Sequence, residues 1–93
     1  MEFDWLQSPS LPAGVTHREI EESFEDPFSI RMMPDVDLSQ RETRFYNLGR
    51  SVSGRGLFTV FWTDGKRYRV IQSRESTDAE LAFYDRKNAE QSN

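Results

Sequence analysis

Six of the ten arginines, Arg44, Arg50, Arg55, Arg67, Arg69 and Arg74, fall in one stretch of the chain together with Phe58 and Trp62. A guanidinium presents a planar fork of donors that matches a phosphate better than the point charge of a lysine does. Rings set between such groups stack on bases, so cations interleaved with aromatics suit single-stranded RNA. The same residues have a structural alternative. Trp62 over Arg67 is an ordinary cross-strand cation–π pair, and Phe58, Val60, Trp62 and Ile71 can form a core. Spacing alone does not separate the two readings. Charge is segregated along the chain. Residues 41–74 carry 8 basic and 2 acidic side chains, residues 1–40 carry 2 and 9, and residues 75–93 carry 2 and 5, so the net charge of -4 hides a segment of +6. That segment suits RNA or an acidic protein surface equally, and its arginines can also pair internally with the acidic flanks.

Other chemistries lack their residues. There is no cysteine and one histidine, and no His and carboxylate pair stands at ligand spacing, so neither a metal nor a cofactor is expected. Gly49, Gly54 and Gly56 fit neither the dinucleotide nor the P-loop spacing. A Ser or Cys nucleophile activated by histidine is not supported, and His17, beside a helix start, reads as a surface or capping neighbour. Glu21, Glu22, Glu25 and Asp26 read as a solvated acidic face near a helix start, where the dipole favours anions.

The elements that must carry these side chains follow from periodicity and turn chemistry. Glu2–Trp5 alternates acids with Phe3 and Trp5 as a half-buried strand does. Residues 8–14, with Pro9, Pro12 and Gly14, form a loop. Thr16 and Glu19 make a capping box for a helix over 17–25 that stops before Pro27, with one thin apolar face of Ile20, Ser23 and Phe24. Phe28, Ile30 and Met32 alternate with polar residues as a second strand, followed by a polar loop through Pro34–Asp37. A third strand starts near Thr43 and includes Phe45–Gly49, with Ser51–Gly54 as a turn. Leu57–Thr63 and Lys66–Ser73 flank Asp64–Gly65, the dipeptide favoured in a two-residue type I′ hairpin. In that register Thr63 faces Lys66, Trp62 faces Arg67, Val60 faces Arg69 and Phe58 faces Ile71, while Phe61 and Tyr68, and Thr59 and Val70, pair on the other side. Thr77 and Glu80 make a second capping box, opening a helix to about residue 90.

This order predicts one small α+β domain spanning residues 1–93, an antiparallel sheet with helices packed on one side. Ninety-three residues suffice for one two-layer core but not for an enclosed cavity, so any site is expected on an open face. With no long apolar run and no signal-like start, the chain is expected to be soluble and cytoplasmic.

The residues also resemble a family. Phe3-Asp4-Trp5, Gly14-Val15-Thr16, Glu19 and Phe24-Glu25-Asp26-Pro27 match in order the spacing of BrnT-type toxins, small ribonucleases with a RelE-like fold. Arg44-Phe45-Tyr46-Asn47-Leu48-Gly49-Arg50-Ser51 is similar to that family's Arg-aromatic-x-x-Ile-Gly-x-Ser, and Arg67-Tyr68-Arg69-Val70-Ile71-Gln72-Ser73-Arg74 to its Arg-Ile-Arg-Ile-Ile-Ser-Ala-Arg. Gly54-Arg55, Glu80 and Tyr84 fall in step, and the resemblance covers nearly the whole chain. One departure bears on activity: the family's Asn-x-x-Lys-His-Gly after the first strand is replaced by a shorter, proline-broken stretch, so its Lys and His are absent.

The resemblance implies the toxin of a prokaryotic type II toxin–antitoxin system, a metal-independent endoribonuclease in which the 2′-hydroxyl beside the scissile phosphate attacks in line. It implies Arg44, Arg69 and Arg74 at the phosphate, and Glu80 as acid/base or as the residue that orients an arginine. Arg50, Arg55, Arg67, Trp62 and Tyr84 would bind RNA, Tyr84 having helix packing as its alternative. The implied partner is a BrnA-type ribbon-helix-helix antitoxin, with DNA reached only through it and no membrane involved. The alternative is a BrnT-like partner-binding module that has lost ribonuclease activity.

Overall fold

A computed structural model describes residues 2–6, 11–12, 14–33 and 44–91. Its elements are β1 (Glu2–Phe3), α1 (His17–Glu25), β2 (Ile30–Met32), β3 (Phe45–Arg50), β4 (Gly56–Thr63), β5 (Arg67–Glu75) and α2 (Asp78–Gln91). The expected order of elements is the observed one. The five strands form one sheet in the order β1-β5-β4-β3-β2. Among the described residues no helix is long and apolar enough to cross a membrane. The predicted start of β3 at Thr43, the loop through Pro34–Asp37 and most of the 8–14 loop lie outside the described residues.

Two features of the predicted sheet need correction. β1 runs parallel to β5, with Glu2 opposite Arg67 and Phe3 opposite Tyr68, so the sheet is mixed rather than antiparallel. The two helices approach from opposite faces, not one. A Cβ on Gly49 would sit 2.1 Å from the Ser23 carbonyl oxygen of α1, whereas a Cβ on Gly56 would meet Leu81 of α2 at 2.5 Å. Gly49 lies opposite Leu57 and Gly56 lies next to it along β4, so their Cβ positions point to opposite sides. The sequence shows two helices but not which side of a sheet each takes, because helix placement is set by loop paths and crossover connections.

The face under α1 is the core. Val15, Ile20, Phe24, Leu57, Phe61 and Val70 are buried together, with Phe3, Trp5, Leu11, Phe45 and Tyr68 packed against them. Phe24 meets the rings of Phe3 and Phe61 edge-on at 5.0 and 4.9 Å. Burying a side chain such as Ile20 or Phe24 contributes about 1.5–3 kcal/mol. Thr16 caps α1 as expected, accepting from the Glu19 N–H while Glu19 accepts from the Thr16 N–H. His17 stacks on Trp5 at 4.0 Å, and the Trp5 Nε1–H donates to Glu21. β2 is shorter than expected, and Phe28 lies outside it, 58% exposed.

The β4–β5 hairpin forms, with a different turn and register. Thr63 lies opposite Tyr68, not Lys66, and Trp62 opposite Arg69, not Arg67. The cause is local chemistry. A type I′ turn needs φ above zero at both central residues. Among the described residues only glycines have positive φ, Gly65 at 98° being one. Asp64 instead turns its carboxylate onto the backbone N–H groups of Arg67 and Lys66, at 2.8 and 2.9 Å. These bonds, Arg67's first, hold its carboxyl below the usual carboxylate range. Thr63 Oγ1 closes the wider loop by donating to the Arg67 carbonyl. This side-chain competition for backbone donors is the reason Asp favours turns in general and does not specify one turn type.

Candidate nucleic-acid interface

Along β4, Leu57, Thr59 and Phe61 face the core, so Phe58, Val60 and Trp62 project to the other side. All three are half-buried there. β3 contributes Tyr46, opposite Val60, and Leu48, opposite Phe58. Tyr46 stacks on Phe58 with ring centroids 5.5 Å apart. Among the described residues α2 packs on the Gly56 end of this face, where Leu48 is buried.

A β-bulge decides which arginines join these rings. Arg69 and Arg74 are five positions apart, so a regular strand would point them to opposite faces. The register shifts between Val60 and Phe61: Phe61 lies opposite Val70, but Val60 lies opposite Gln72, with Ile71 as the extra residue. From there Thr59 meets Ser73 and Phe58 meets Arg74. Arg69, Gln72 and Arg74 therefore share the aromatic face. The Ser73 and Thr59 hydroxyls are buried on the core side, 2.9 Å apart in a hydrogen bond. Phe58 thus faces Arg74 rather than Ile71, and Thr59 faces Ser73 rather than Val70, as the simple hairpin register had it.

Two arginine–ring pairs result. The Arg69 guanidinium lies 5.0 Å from the Trp62 ring centroid, and that of Arg74 lies 4.7 Å from Phe58. Trp62 and Phe58 are four residues apart on β4, roughly 13 Å along the strand. Arg74 donates through both terminal nitrogens to Glu80, at 2.8 and 2.9 Å. The Glu80 carboxylate also accepts from the Thr77 N–H, while its own N–H donates to Thr77 Oγ1, completing the expected capping box. Arg74, first among its neighbours, holds the Glu80 carboxyl below the usual range, and Glu80 raises Arg74 in turn. A carboxylate so held is a weaker base, suited to fixing a guanidinium in place. The Arg74 side chain nevertheless stays 40% exposed.

The other sequence-derived candidates lie outside these two pairs. Arg44 is exposed, one residue before β3, beside the pair of Phe45 with Phe61. Arg67, two residues before Arg69 and so on the same side of β5, is exposed at the hairpin end, opposite Glu2. Arg55 is taken up by the fold: it donates to the Gly14 carbonyl and pairs with Glu19 and Glu75. Arg50 lies over the Tyr84 ring at 5.3 Å, donates to the Gly54 carbonyl and faces Asp85. Tyr84 is buried, and its hydroxyl donates to Asp26 at 2.7 Å. Burial, then the Asp26 hydrogen bond, push its phenol well above the usual range. Asp26 also accepts the N–H groups of Arg50 and Phe28, so this cluster fastens α2 to the end of α1.

Sequence reasoning found Phe58 and Trp62 but missed Tyr46, which stacks on Phe58, and Gln72 between the two arginines. Only the five-residue gap from Arg69 to Arg74 carried a signal, because it demands either a bulge or opposite faces. Compared with protein-family models, curated proteins and solved structures, the chain matches none.

Proposed function

We propose that this protein binds single-stranded RNA on the sheet face bearing Arg69, Arg74, Trp62 and Phe58, as a BrnT-like module of a toxin–antitoxin pair. One observation carries this reading: the bulge at Ile71 turns two arginines that regular strand geometry would separate onto one partly exposed face, each over an aromatic ring. Guanidinium groups spaced along such a face contact phosphates about two nucleotides apart, and the rings supply sequence-tolerant stacking. Glu80 orients Arg74. The acidic flanks would keep RNA to this face, and an acidic surface of a BrnA-type antitoxin would compete for it.

A second reading, metal-independent cleavage by in-line attack of the 2′-hydroxyl, draws support from the fixed Arg74 guanidinium, which would stabilise charge on the phosphorane oxygens together with Arg69. That reaction also requires a proton acceptor. Glu80 is already held by Arg74 and Thr77, so it is poorly placed to accept that proton.

The deciding experiment uses purified protein and a labelled mixed-sequence RNA in EDTA, followed for both retention and cleavage, with Arg69→Ala and Arg74→Ala alongside. The expected result is retention of intact RNA by the native chain and loss of retention in both variants at nearly unchanged Tm. Cleavage that disappears in the variants would establish the ribonuclease reading instead. No retention and no cleavage by folded protein would end both.

A further inference from the structure

On the arginine–aromatic face the residues fall into cross-strand rows. Arg69 and Trp62 form one, Gln72, Val60, Tyr46 and Met32 the next, and Arg74, Phe58, Leu48 and Ile30 the third. Neighbouring rows on one face are two residues apart, roughly 7 Å. That is about the length of one nucleotide in an extended strand. The outer rows carry the guanidinium groups, and the middle row carries none.

The middle row is chemically different. Gln72 is exposed, and its amide makes no hydrogen bond among the described residues. Val60 lies beside it as a half-buried apolar floor, and Tyr46 closes the row with its ring on Phe58. The Tyr46 hydroxyl likewise makes no hydrogen bond among the described residues. An amide next to an apolar floor, flanked on both sides by cations over rings, has the composition of a base subsite between two phosphate contacts. The bulge creates it: in a regular strand Gln72 would face Thr59 and Ile71 would face Val60.

We infer that Gln72 is the base-reading residue of this face, its amide hydrogen-bonding the edge of one adenine that rests over Val60 between the Arg69 and Arg74 contacts. An amide offers one donor and one acceptor side by side; adenine presents the complement on two edges, N6 with N7 and N6 with N1, whereas the other bases of a single strand present it on the Watson–Crick edge alone. A carboxylate at the same place would only accept, which suits the adjacent N1–H and N2 amino donors of guanine. This inference rests on the RNA-binding reading above and adds a sequence preference to it.

The test uses the full chain and four short labelled single-stranded RNAs that are identical except for one central nucleotide, compared by fluorescence anisotropy. The native protein should prefer adenine at that position by roughly 5- to 150-fold, the range of one good bidentate base contact. Gln72→Ala should bind all four RNAs about equally, and Gln72→Glu should favour guanine, with Tm unchanged in both because the side chain is exposed. Arg74→Ala should weaken all four alike. Tight binding with no base preference in the native chain, or a preference that survives in Gln72→Ala, would overturn the inference while leaving the RNA-binding reading intact. Absence of binding to any of the four by folded native protein would remove both.

Discussion

Arg74 and Glu80 show how one residue can serve two elements. Glu80 closes the capping box of α2 and at the same time grips both terminal nitrogens of Arg74 on β5. Partly exposed pairs of this kind contribute little to stability, about 0–1 kcal/mol, so the pair acts more on geometry than on folding. The Glu80 carboxyl is depressed, so its contribution is present above the unfolded value near 4.3 and is lost as pH falls through its lower folded value. Tyr84 has the opposite sign. Its raised phenol contributes fully below the unfolded value near 10, and that contribution is lost as pH rises beyond it toward the folded value. Urea unfolding measured against pH should therefore show a decline above about pH 10 in the native chain. Tyr84→Phe should flatten that decline and cost about 1 kcal/mol at neutral pH for the lost bond to Asp26. An unchanged alkaline decline in the variant would assign it to other groups.

The hairpin is the element whose details matter most. A bulge residue can be deleted without turning its neighbours over, whereas deletion of a paired residue cannot. Deleting Ile71 should leave Val60 opposite Gln72 and Phe58 opposite Arg74, cost about 1–2 kcal/mol for the lost half-buried side chain, and retain most RNA affinity. Deleting Ser73 should be far more damaging. Keeping Phe58 opposite Arg74 would then press the Gln72 amide against buried Thr59, and the hydrogen bond between Thr59 and Ser73 would be gone. Equal damage from the two deletions, read by urea melts, would count against the bulge as the device that sets the face. β3 is constrained in another way. Gly49 passes so close to the Ser23 carbonyl that no side chain fits, and this contact fixes how near α1 can lie to the sheet.

For the whole molecule the question is how an acidic protein presents a basic site. The net charge is -4, yet the face opposite α1 gathers Arg67, Arg69 and Arg74, with Arg44 beside its end. Glu80 holds Arg74 on this face, whereas Arg50 and Arg55, from the same basic stretch, are held by carboxylates and carbonyls away from the Trp62 and Phe58 rings. RNA affinity should therefore respond to salt as for about four neutralised phosphates. For a single strand this gives a slope of about -3 in log K against log salt concentration. A slope of about -4 would mean that Arg50 and Arg55 also leave their partners to bind RNA. Charge segregation is a property of the chain itself, and the fold converts only part of it into a surface.

Much of the local structure was written in the chain: both capping boxes, the helix over 17–25 with Ile20 and Phe24 inward, and a hairpin around Asp64–Gly65. These features depend on neighbours within a few residues, where side-chain hydrogen bonds and periodicity act directly. The order of elements and the α+β class followed from them. The site did not. Two arginines five residues apart carry no mark of whether a strand will bulge between them. The bulge satisfies both a buried Thr59–Ser73 bond and a core of Phe61 and Val70, contacts set by strands packing under α1. The parallel addition of β1, the placement of α2 on the second face, and the diversion of Arg50, Arg55 and Tyr84 into structural contacts likewise depend on residues far apart in sequence. Residue type therefore set the available chemistry, arginines and rings without a metal-binding set, while tertiary packing decided which of those groups reach a common surface.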